Sequence, residues 1–258
     1  MTEPRPLFVL PSLKPGGAEI QSFRQIRAMR GRGMDAGLVL LSERNDPEML
    51  AALELPAERL MIAGTGGDVL DRGFLTALPG RVPRLARFVR RVRPTHLLCI
   101  MPPAFVAGRL VRLALALSGP RPRLVIWHRN FEQEILADRS PATRLYLAVN
   151  GALACLLDDQ HWHISRDVRA AVTSTYFTRG DRVINNSVDP VSDIDDGAAR
   201  NVLAQAGVPE TAYTILTPGR LHEQKGHLVL LAALGRLVRE AGLGPDRIQL
   251  VVAGAGPM

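Results

Sequence analysis

Short apolar runs alternate with longer amphipathic stretches along most of the chain, and this alternation restricts the folds open to it more than any other feature. Seven apolar runs are predicted to form strands: residues 7–11, 36–41, 59–62, 96–100, 124–127, 161–164 and 182–184. Helical patterns lie between most of them, at about 18–31, 46–54, 74–93, 104–117, 141–157 and 165–177. Strands that alternate with helices predict an α/β fold in which helices cover both faces of a parallel sheet.

The alternation stops near Asn186 and then begins again. Residues 185–197 are polar and rich in turn-forming residues, which predicts a linker. The elements predicted after it are a helix at 196–206, a strand at 213–217, a helix at 227–241 and a strand at 249–253. We therefore predict two Rossmann-like domains, 1–186 and 187–258, the second including the linker. Two strands and one helix do not make a finished domain, so we expect the second domain to be incomplete.

Composition excludes several classes of protein. No apolar run approaches the ~18 residues that span a bilayer, and the first residues lack the basic and apolar segments of a secretory signal. We therefore expect a cytoplasmic protein in which Cys99 and Cys155, each within an apolar run, are buried thiols. His161 and His163 alternate along a predicted strand without further ligands at the usual spacings, so we expect no metal site and no cofactor.

The charge of the chain favours anionic partners. The formal net charge is +7 and the pI is about 10.3, yet basic residues without interleaved aromatics argue against nucleic-acid binding. A basic amphipathic helix at 81–93 carries Arg84, Arg87 and Arg91 on one face and apolar residues on the other. Such a helix either lies on an anionic membrane or covers the sheet with its Arg face solvated, and we prefer the second interpretation.

Two glycine-rich loops each follow a predicted strand. Gly16 and Gly17 directly precede a helix, where backbone N–H groups form an anion site, although a plain tight turn fits the same pattern. Gly254 and Gly256 follow the last strand, where glycines line a ligand crevice or form a simple turn.

A loop with two cations also joins a strand to a helix. Arg220 and Lys225 lie within it, and Lys225 is one of two lysines among 32 basic residues, the other being Lys14 in the first glycine loop. Arg binds phosphate oxygens in a bidentate manner and Lys acts as a point charge, so together they could hold a diphosphate. The alternative is a solvated loop.

A polar cluster, Trp127-His128-Arg129-Asn130, lies at the carboxyl end of a predicted strand. Open parallel sheets bind ligands at this edge. His128 could donate a hydrogen bond to a sugar or transfer a proton, or it could be a structural histidine near a loop.

The order of motifs resembles the retaining glycosyltransferases of GT-B fold that are called family 4. The motifs are Pro15-Gly16-Gly17-Ala18-Glu19, His163-Ile164-Ser165-Arg166-Asp167-Val168, Val183-Ile184-Asn185-Asn186-Ser187-Val188-Asp189, Gly219-Arg220-Leu221 with Gln224-Lys225-Gly226, and Ala253-Gly254-Ala255-Gly256-Pro257. They extend over nearly the whole chain.

The resemblance implies a fold, a reaction and roles for single residues. Two Rossmann-like domains would face each other across the active site, and a sugar would pass with retention from a nucleotide-sugar to a lipid-linked or polysaccharide acceptor, without a metal. Arg220 and Lys225 would bind the donor diphosphate. His128 would be the active-site histidine. The glycines would approach or border the donor: Gly16, Gly17, Gly254 and Gly256.

The sequence also departs from the family. No two glutamates lie eight positions apart, although family members carry such a pair further along the donor domain. We therefore expect the 258-residue chain alone to have little or no activity. A nucleotide-sugar epimerase of the same fold and a non-catalytic remnant that binds a partner chain are the alternatives.

Overall fold

A computed structural model describes residues 3–64, 72–116, 119–129, 141–175, 177–188 and 195–256 of the 258-residue chain. The chain divides into two compact units, Met1–Val188 and Asp189–Met258. We call them unit 1 and unit 2.

Unit 1 is a parallel sheet covered by helices. Its strands are β1 (Pro6–Leu10), β2 (Gly37–Leu40), β3 (Leu60–Ile62), β4 (His96–Ile100), β5 (Arg123–His128), β6 (Gln160–His163) and β7 (Arg182–Val183). Its helices are α1 (Gly17–Gly31), α2 (Pro47–Ala51), α3 (Arg72–Val92), α4 (Pro102–Leu115), α5 (Pro141–Leu157) and α6 (Arg166–Thr175).

The strand order is β3-β2-β1-β4-β5-β6-β7, and every neighbouring pair is parallel. The direction of the order reverses between β1 and β4, which is the switch point where open α/β sheets bind ligands. The predicted α/β fold with a parallel sheet is confirmed.

Each face of the sheet carries its own apolar cluster. Phe8 and Leu10 of β1 pack with Ile26 of α1, whereas Leu7 and Val9 pack on the side of α3 and α4. Because both faces are buried, the strands are continuous apolar runs instead of alternating apolar and polar residues.

The basic helix α3 covers the sheet with its apolar face. Leu85, Phe88 and Val89 are buried in the sheet cluster, and Arg84 and Arg87 are exposed. The packing agrees with the preferred interpretation. Within the described residues, no helix combines the length and the apolar character that crossing a membrane requires.

The prediction for the two cysteines is half wrong. Cys99 is buried on β4 against α4, where a side chain at Gly108 would overlap its sulfur, and burial raises the pKa of its thiol. Cys155 is exposed on α5, as is the adjacent Leu156. Cys155 and Leu156 lie on the outward face of α5, although the residues around them in the sequence are apolar.

Unit 2 contains the helix α7 (Asp196–Gln205), the strand β8 (Tyr213–Pro218), the helix α8 (His227–Ala241) and the strand β9 (Ile248–Ala253). The two strands pair in parallel from Tyr213 opposite Ile248 to Pro218 opposite Ala253. Among residues 195–256, His227 alone is buried.

Candidate functional site

The loop after β1 delivers the first glycine pair to the switch point. Gly16 is the N-cap of α1 and has an extended backbone, and no side chain caps the helix. The carboxylate of Glu19 instead folds back towards Gly16. Burial raises the pKa of Glu19, while a backbone hydrogen bond and Lys14 oppose the rise. Glu19 thus adds a partly buried carboxyl group at this helix N-terminus, which the sequence analysis did not single out.

Gly17 has no structural reason to be a glycine. Apart from its chain neighbours and its own helix, a Cβ built on it would meet no atom of the described residues within 4 Å. Its position at the start of α1 is one that any helix-forming residue can occupy. The space beside Gly17 is therefore open to a ligand.

Arg129, directly after β5, is a residue whose importance the sequence analysis missed. Its guanidinium carbon lies 3.9 Å from the ring centre of Trp127. One of its nitrogens donates to Asn186 Oδ1 at 2.8 Å and the other to Gln25 Oε1 at 2.6 Å. Burial lowers its pKa to about 10. Arg129 thereby ties the carboxyl end of β5 to α1 and to the segment after β7.

A second contact from α1 holds the same segment. The side-chain amide of Gln21 donates to the carbonyl of Ser187 at 2.7 Å and accepts from its N–H at 3.3 Å. Gln21 of α1 therefore fixes the backbone of Ser187, and Arg129 holds the side chain of Asn186, close to the end of unit 1. One feature of the sequence could have indicated the contact between Arg129 and Trp127. Side chains alternate along a strand, so these two residues lie on the same face of the sheet.

His128 points to the opposite face of the sheet, so the structure separates it from Arg129. Its ring stacks between those of His161 and His163, with ring centres 5.5 Å and 5.1 Å away. The edge of Phe105 from α4 contacts it at 5.2 Å. The remaining member of the predicted polar cluster, Asn130, lies outside the described residues.

The histidine stack belongs to a buried network of charged groups. Nε2 of His128 lies 3.2 Å from Nδ1 of His161, and Nε2 of His161 lies 3.4 Å from Oδ2 of Asp158. The contact with Asp158 lacks hydrogen-bond geometry, so which of the two rings donates in the pair of His128 and His161 depends on their tautomers. Arg109 of α4 donates to both oxygens of Asp158, at 2.9 Å and 2.5 Å.

The network continues on the side of β7. Nε2 of His163 donates to Oδ1 of Asp181 at 2.7 Å, and the hydroxyl of Thr178 donates to Oδ2 of the same carboxylate at 2.7 Å. These contacts lower the pKa of Asp181 against the effect of its burial. The carboxylate therefore holds the third ring of the stack in place.

The environment of His128 keeps its ring neutral. Burial lowers the pKa of His128 well below 6.5, and His161, His163 and Arg109 lower it further. The neutral, enclosed ring of His128 packs β5 against β6 and α4. The catalytic role predicted for His128 stays a prediction.

In unit 2, the loop after β8 presents both predicted cations. Arg220 and Lys225 are exposed, and Lys225 lies in a short 3-10 turn just before α8. The N-cap of α8 is Gly226 in a left-handed conformation (φ 68°), and no side chain caps the helix. Nε2 of the buried His227 donates to the carbonyl of Arg220 at 3.1 Å, which fixes the backbone of the loop.

The second glycine pair has a structural explanation. The N–H groups of Gly219 and Leu221 donate to the carbonyls of Ala253 and Ala255 at 2.9 Å and 3.0 Å. A side chain at Gly254 would overlap the carbonyl of Gly219, and one at Gly256 would overlap the backbone of Leu221. The two loops therefore require these glycines for close approach, whether or not a ligand is bound.

In the described part of the chain, no group of three or more His, Cys, Asp or Glu side chains could hold a metal ion.

The fold is similar to that of several solved structures. A glycosyltransferase from Rickettsia africae aligns with a TM-score of 0.67 at 12% identity, over 98% of this chain and 69% of that chain. A UDP-N-acetylglucosamine 2-epimerase aligns with a TM-score of 0.56 at 12% identity, over 100% and 69%. The UDP-GlcNAc 2-epimerase from Neisseria meningitidis bound to UDP-GlcNAc aligns with a TM-score of 0.53 at 14% identity, over 96% and 64%.

These similarities establish the GT-B fold for this chain. The chain spans 64 to 69% of the length of the three aligned chains. No protein-family model and no curated protein sequence matches it.

Proposed function

We propose that this chain binds a nucleotide-sugar and forms part of a glycosyltransferase. The observation that carries the proposal is the loop after β8, where Arg220, Lys225 and the uncapped N-terminus of α8 lie together. A helix N-terminus carries about half a positive charge and free N–H donors. With two cations beside it, the loop suits the diphosphate of a nucleotide-sugar.

The same groups suit the chemistry of transfer. The bond between the anomeric carbon and the diphosphate breaks, and the nucleoside diphosphate leaves with the bonding electrons. The acceptor hydroxyl forms the new bond to the anomeric carbon and passes its proton to an oxygen of the leaving diphosphate. Arg220 and Lys225 would stabilise the charge that grows on the leaving diphosphate. The resemblance in sequence motifs assigns Gly16 and Gly17 of unit 1 to donor binding, and space for a side chain is open beside Gly17.

The finer parts of the proposal rest on the resemblance in sequence motifs. They are transfer with retention and a lipid-linked or polysaccharide acceptor. Peripheral contact with an anionic membrane rests instead on the charge of the exposed Arg face of α3, and it is secondary to the role of this helix in covering the sheet. Gly254 and Gly256 border the proposed donor loop, and their contribution is to let the two loops approach. The preference for transfer over epimerisation rests on the same motifs.

Epimerisation of a nucleotide-sugar is the second candidate. Its support is that the structures of two UDP-N-acetylglucosamine 2-epimerases align over 100% and 96% of this chain. The two reactions share a donor and differ in product. Incubation with UDP-GlcNAc followed by NMR distinguishes them, because transfer gives a glycoside and epimerisation gives an epimer of the sugar.

Donor binding tests the loop directly. We expect Arg220→Ala and Lys225→Ala each to weaken UDP binding, measured by isothermal titration calorimetry, by about tenfold, or about 1.4 kcal/mol. Arg247→Ala is the matched control, because Arg247 is exposed and lies just before β9, at the other end of the same sheet. UDP affinity that is unchanged in both loop variants would falsify the phosphate assignment.

A further inference from the structure

Unit 1 has a cavity of about 380 Å³ at the amino ends of its strands, the end of the sheet opposite Gly16 and Gly17. Its lining residues come from just before β1, β2 and β3 and from the C-terminal ends of α1 and α3. Five of them are arginines: Arg5, Arg30, Arg59, Arg91 and Arg93. The volume falls within the ~300–1,000 Å³ of small-molecule sites.

The inner guanidinium groups are held in place. Arg59, with 16% of its side chain exposed, forms an ion pair with Asp35 and donates to the carbonyl of Val92 at 3.2 Å. Arg30 donates to the carbonyl of Ala36 at 3.2 Å. These contacts fix the groups before any ligand arrives, which lowers the entropy cost of binding.

The positive charge of the cavity exceeds its local compensation. Five arginines face two carboxylates, those of Asp35 and Glu58, which leaves three positive charges. The C-terminal ends of α1 and α3 add about −0.5 each. Roughly two positive charges therefore stay uncompensated, and in the described residues no ion pair joins Arg5, Arg30, Arg91 or Arg93 to a carboxylate.

The arginines of the cavity act on one another through their charges, and one of them also has an unfavourable backbone conformation. The pKa of Arg59 is lowered by burial and then by the neighbouring charges of Arg5 and Arg30. Arg93 has a left-handed backbone (φ 48°) just after α3, where glycine is the favoured residue. An anion in the cavity would offset the repulsion.

We propose that this cavity is a binding site for a small phosphate-bearing anion with at least two negative charges. Arginine forks match phosphate oxygens in pairs, and the fixed Arg30 and Arg59 supply the inner contacts. The cavity is larger than a single phosphate group, so it also accommodates an organic group attached to the phosphate. The site lies at the amino ends of the strands of unit 1 and shares no residue with the loop of unit 2 that contains Arg220 and Lys225.

Calorimetry with inorganic diphosphate tests the site. The host protein is the Arg220→Ala/Lys225→Ala variant, in which the proposed donor loop no longer contributes. Adding Arg5→Ala and Arg93→Gly should weaken diphosphate binding at least tenfold, and the glycine also suits the left-handed backbone. The control adds Arg84→Ala and Arg87→Ala, which remove the same charge from the exposed face of α3 and should change the affinity less than twofold.

The outcomes separate the cavity from diffuse charge. Selective loss in the cavity variant supports the site, even if the donor loop fails its own test. Equal loss in both variants, or no diphosphate binding by the host, overturns the proposal. Thermal unfolding followed by Trp fluorescence checks that each variant is folded. If Arg5→Ala/Arg93→Gly is unstable, Arg93→Gly alone should still weaken binding severalfold, and unchanged affinity overturns the site.

Vesicles identify the source of the phosphate. Phosphatidylcholine vesicles with and without phosphatidic acid are sedimented with the host and the cavity variant. Sedimentation that needs phosphatidic acid, is lost in the cavity variant and is reversed by diphosphate supports the site with a lipid headgroup as its ligand. Diphosphate binding without sedimentation supports it with a soluble anion.

Discussion

The strands of unit 1 and unit 2 have similar sequences and very different surroundings. In unit 1, the strand residues Phe8, Leu98 and Val125 are at most 1% exposed. In unit 2, Leu216 of β8 is 59% exposed and Val252 of β9 is 42% exposed. The residues of both apolar clusters all belong to unit 1.

The difference shows that an apolar run predicts a strand but does not bury it. Burial needs neighbouring strands on both edges and helices on both faces. In unit 1, seven strands and helices on both faces supply them. In the described part of unit 2, two strands and two helices do not, so apolar side chains of α8 such as Leu228 and Val229 also stay exposed. Stability should therefore depend on unit 1.

Removal of a buried charge partner should give the largest effect. Asp158→Ala leaves the 2%-exposed Arg109 without its carboxylate, so we expect unit 1 to lose about 3–5 kcal/mol of unfolding free energy. Trp127 and Trp162 are the two tryptophans of the chain and both lie in unit 1, so urea unfolding followed by Trp fluorescence reports on this unit.

The matched control is an exposed pair in unit 2. Glu240→Ala breaks the surface contact with Arg236, which should cost about 0.5 kcal/mol or less, measured by circular dichroism of the whole chain because unit 2 contains no tryptophan. If Asp158→Ala lowers the unfolding free energy of unit 1 by less than about 1 kcal/mol, the prediction is wrong. The buried network around Arg109 would then tolerate the loss of a partner as well as a surface ion pair does.

Two leucine truncations compare the apolar residues themselves. Leu98→Ala creates a cavity within the central sheet, for which we expect a loss of about 2–5 kcal/mol of unfolding free energy. Leu216→Ala removes a mostly exposed side chain and should cost less than about 1 kcal/mol. The same Trp fluorescence measurement serves for Leu98, and circular dichroism of the whole chain serves for Leu216. Similar losses would mean that Leu216 is covered in solution.

The sequence predicted the helices and strands well because the spacing of apolar residues along a helix or strand is a local property. The strand at 96–100 has the predicted limits, whereas β6 begins one residue earlier than predicted, since Gln160 pairs with Val125. The helix predicted at 46–54 ends at Ala51, shortly before the left-handed Glu54. The limits of a helix or strand depend on its hydrogen-bond partners and on the turns that follow it, and the spacing of apolar residues gives no information on either.

Contacts between distant residues account for what the sequence could not predict at the site. Arg129 meets Asn186 across 57 positions. His128 and His163 are neighbours because β5 and β6 pair in that register. Knowledge of the strand order would have brought the three histidines together, but their burial depends on α4. The placement of Arg220 and Lys225 on one loop was predictable, since strand, loop and helix are consecutive.

The histidine stack should make the stability of unit 1 sensitive to acid. The pKa values of His128 and His163 are lowered in the folded protein, so the unfolded chain binds more protons just below pH 6.5. Stability therefore falls as the pH drops through 6.5, by up to about 1.4 kcal/mol per pH unit for each proton. His128→Gln should reduce this slope between pH 7.5 and 5, measured by urea unfolding. Equal slopes would show that His128 is protonated without cost.

The smallest effect on stability, and the sharpest distinction between the glycine pairs, is expected from Gly17→Ala. Gly254→Ala should disturb the donor loop through overlap with Gly219, so its effect on binding cannot be separated from folding. Gly17→Ala meets no atom within 4 Å and should leave unit 1 equally stable or up to about 1 kcal/mol more stable. If the space beside Gly17 admits the donor, binding of UDP-GlcNAc should weaken severalfold while UDP binding stays unchanged, because the added methyl group would meet the sugar. Unchanged affinity for both ligands would assign the first glycine loop to a simple turn and leave donor recognition to the loop of unit 2.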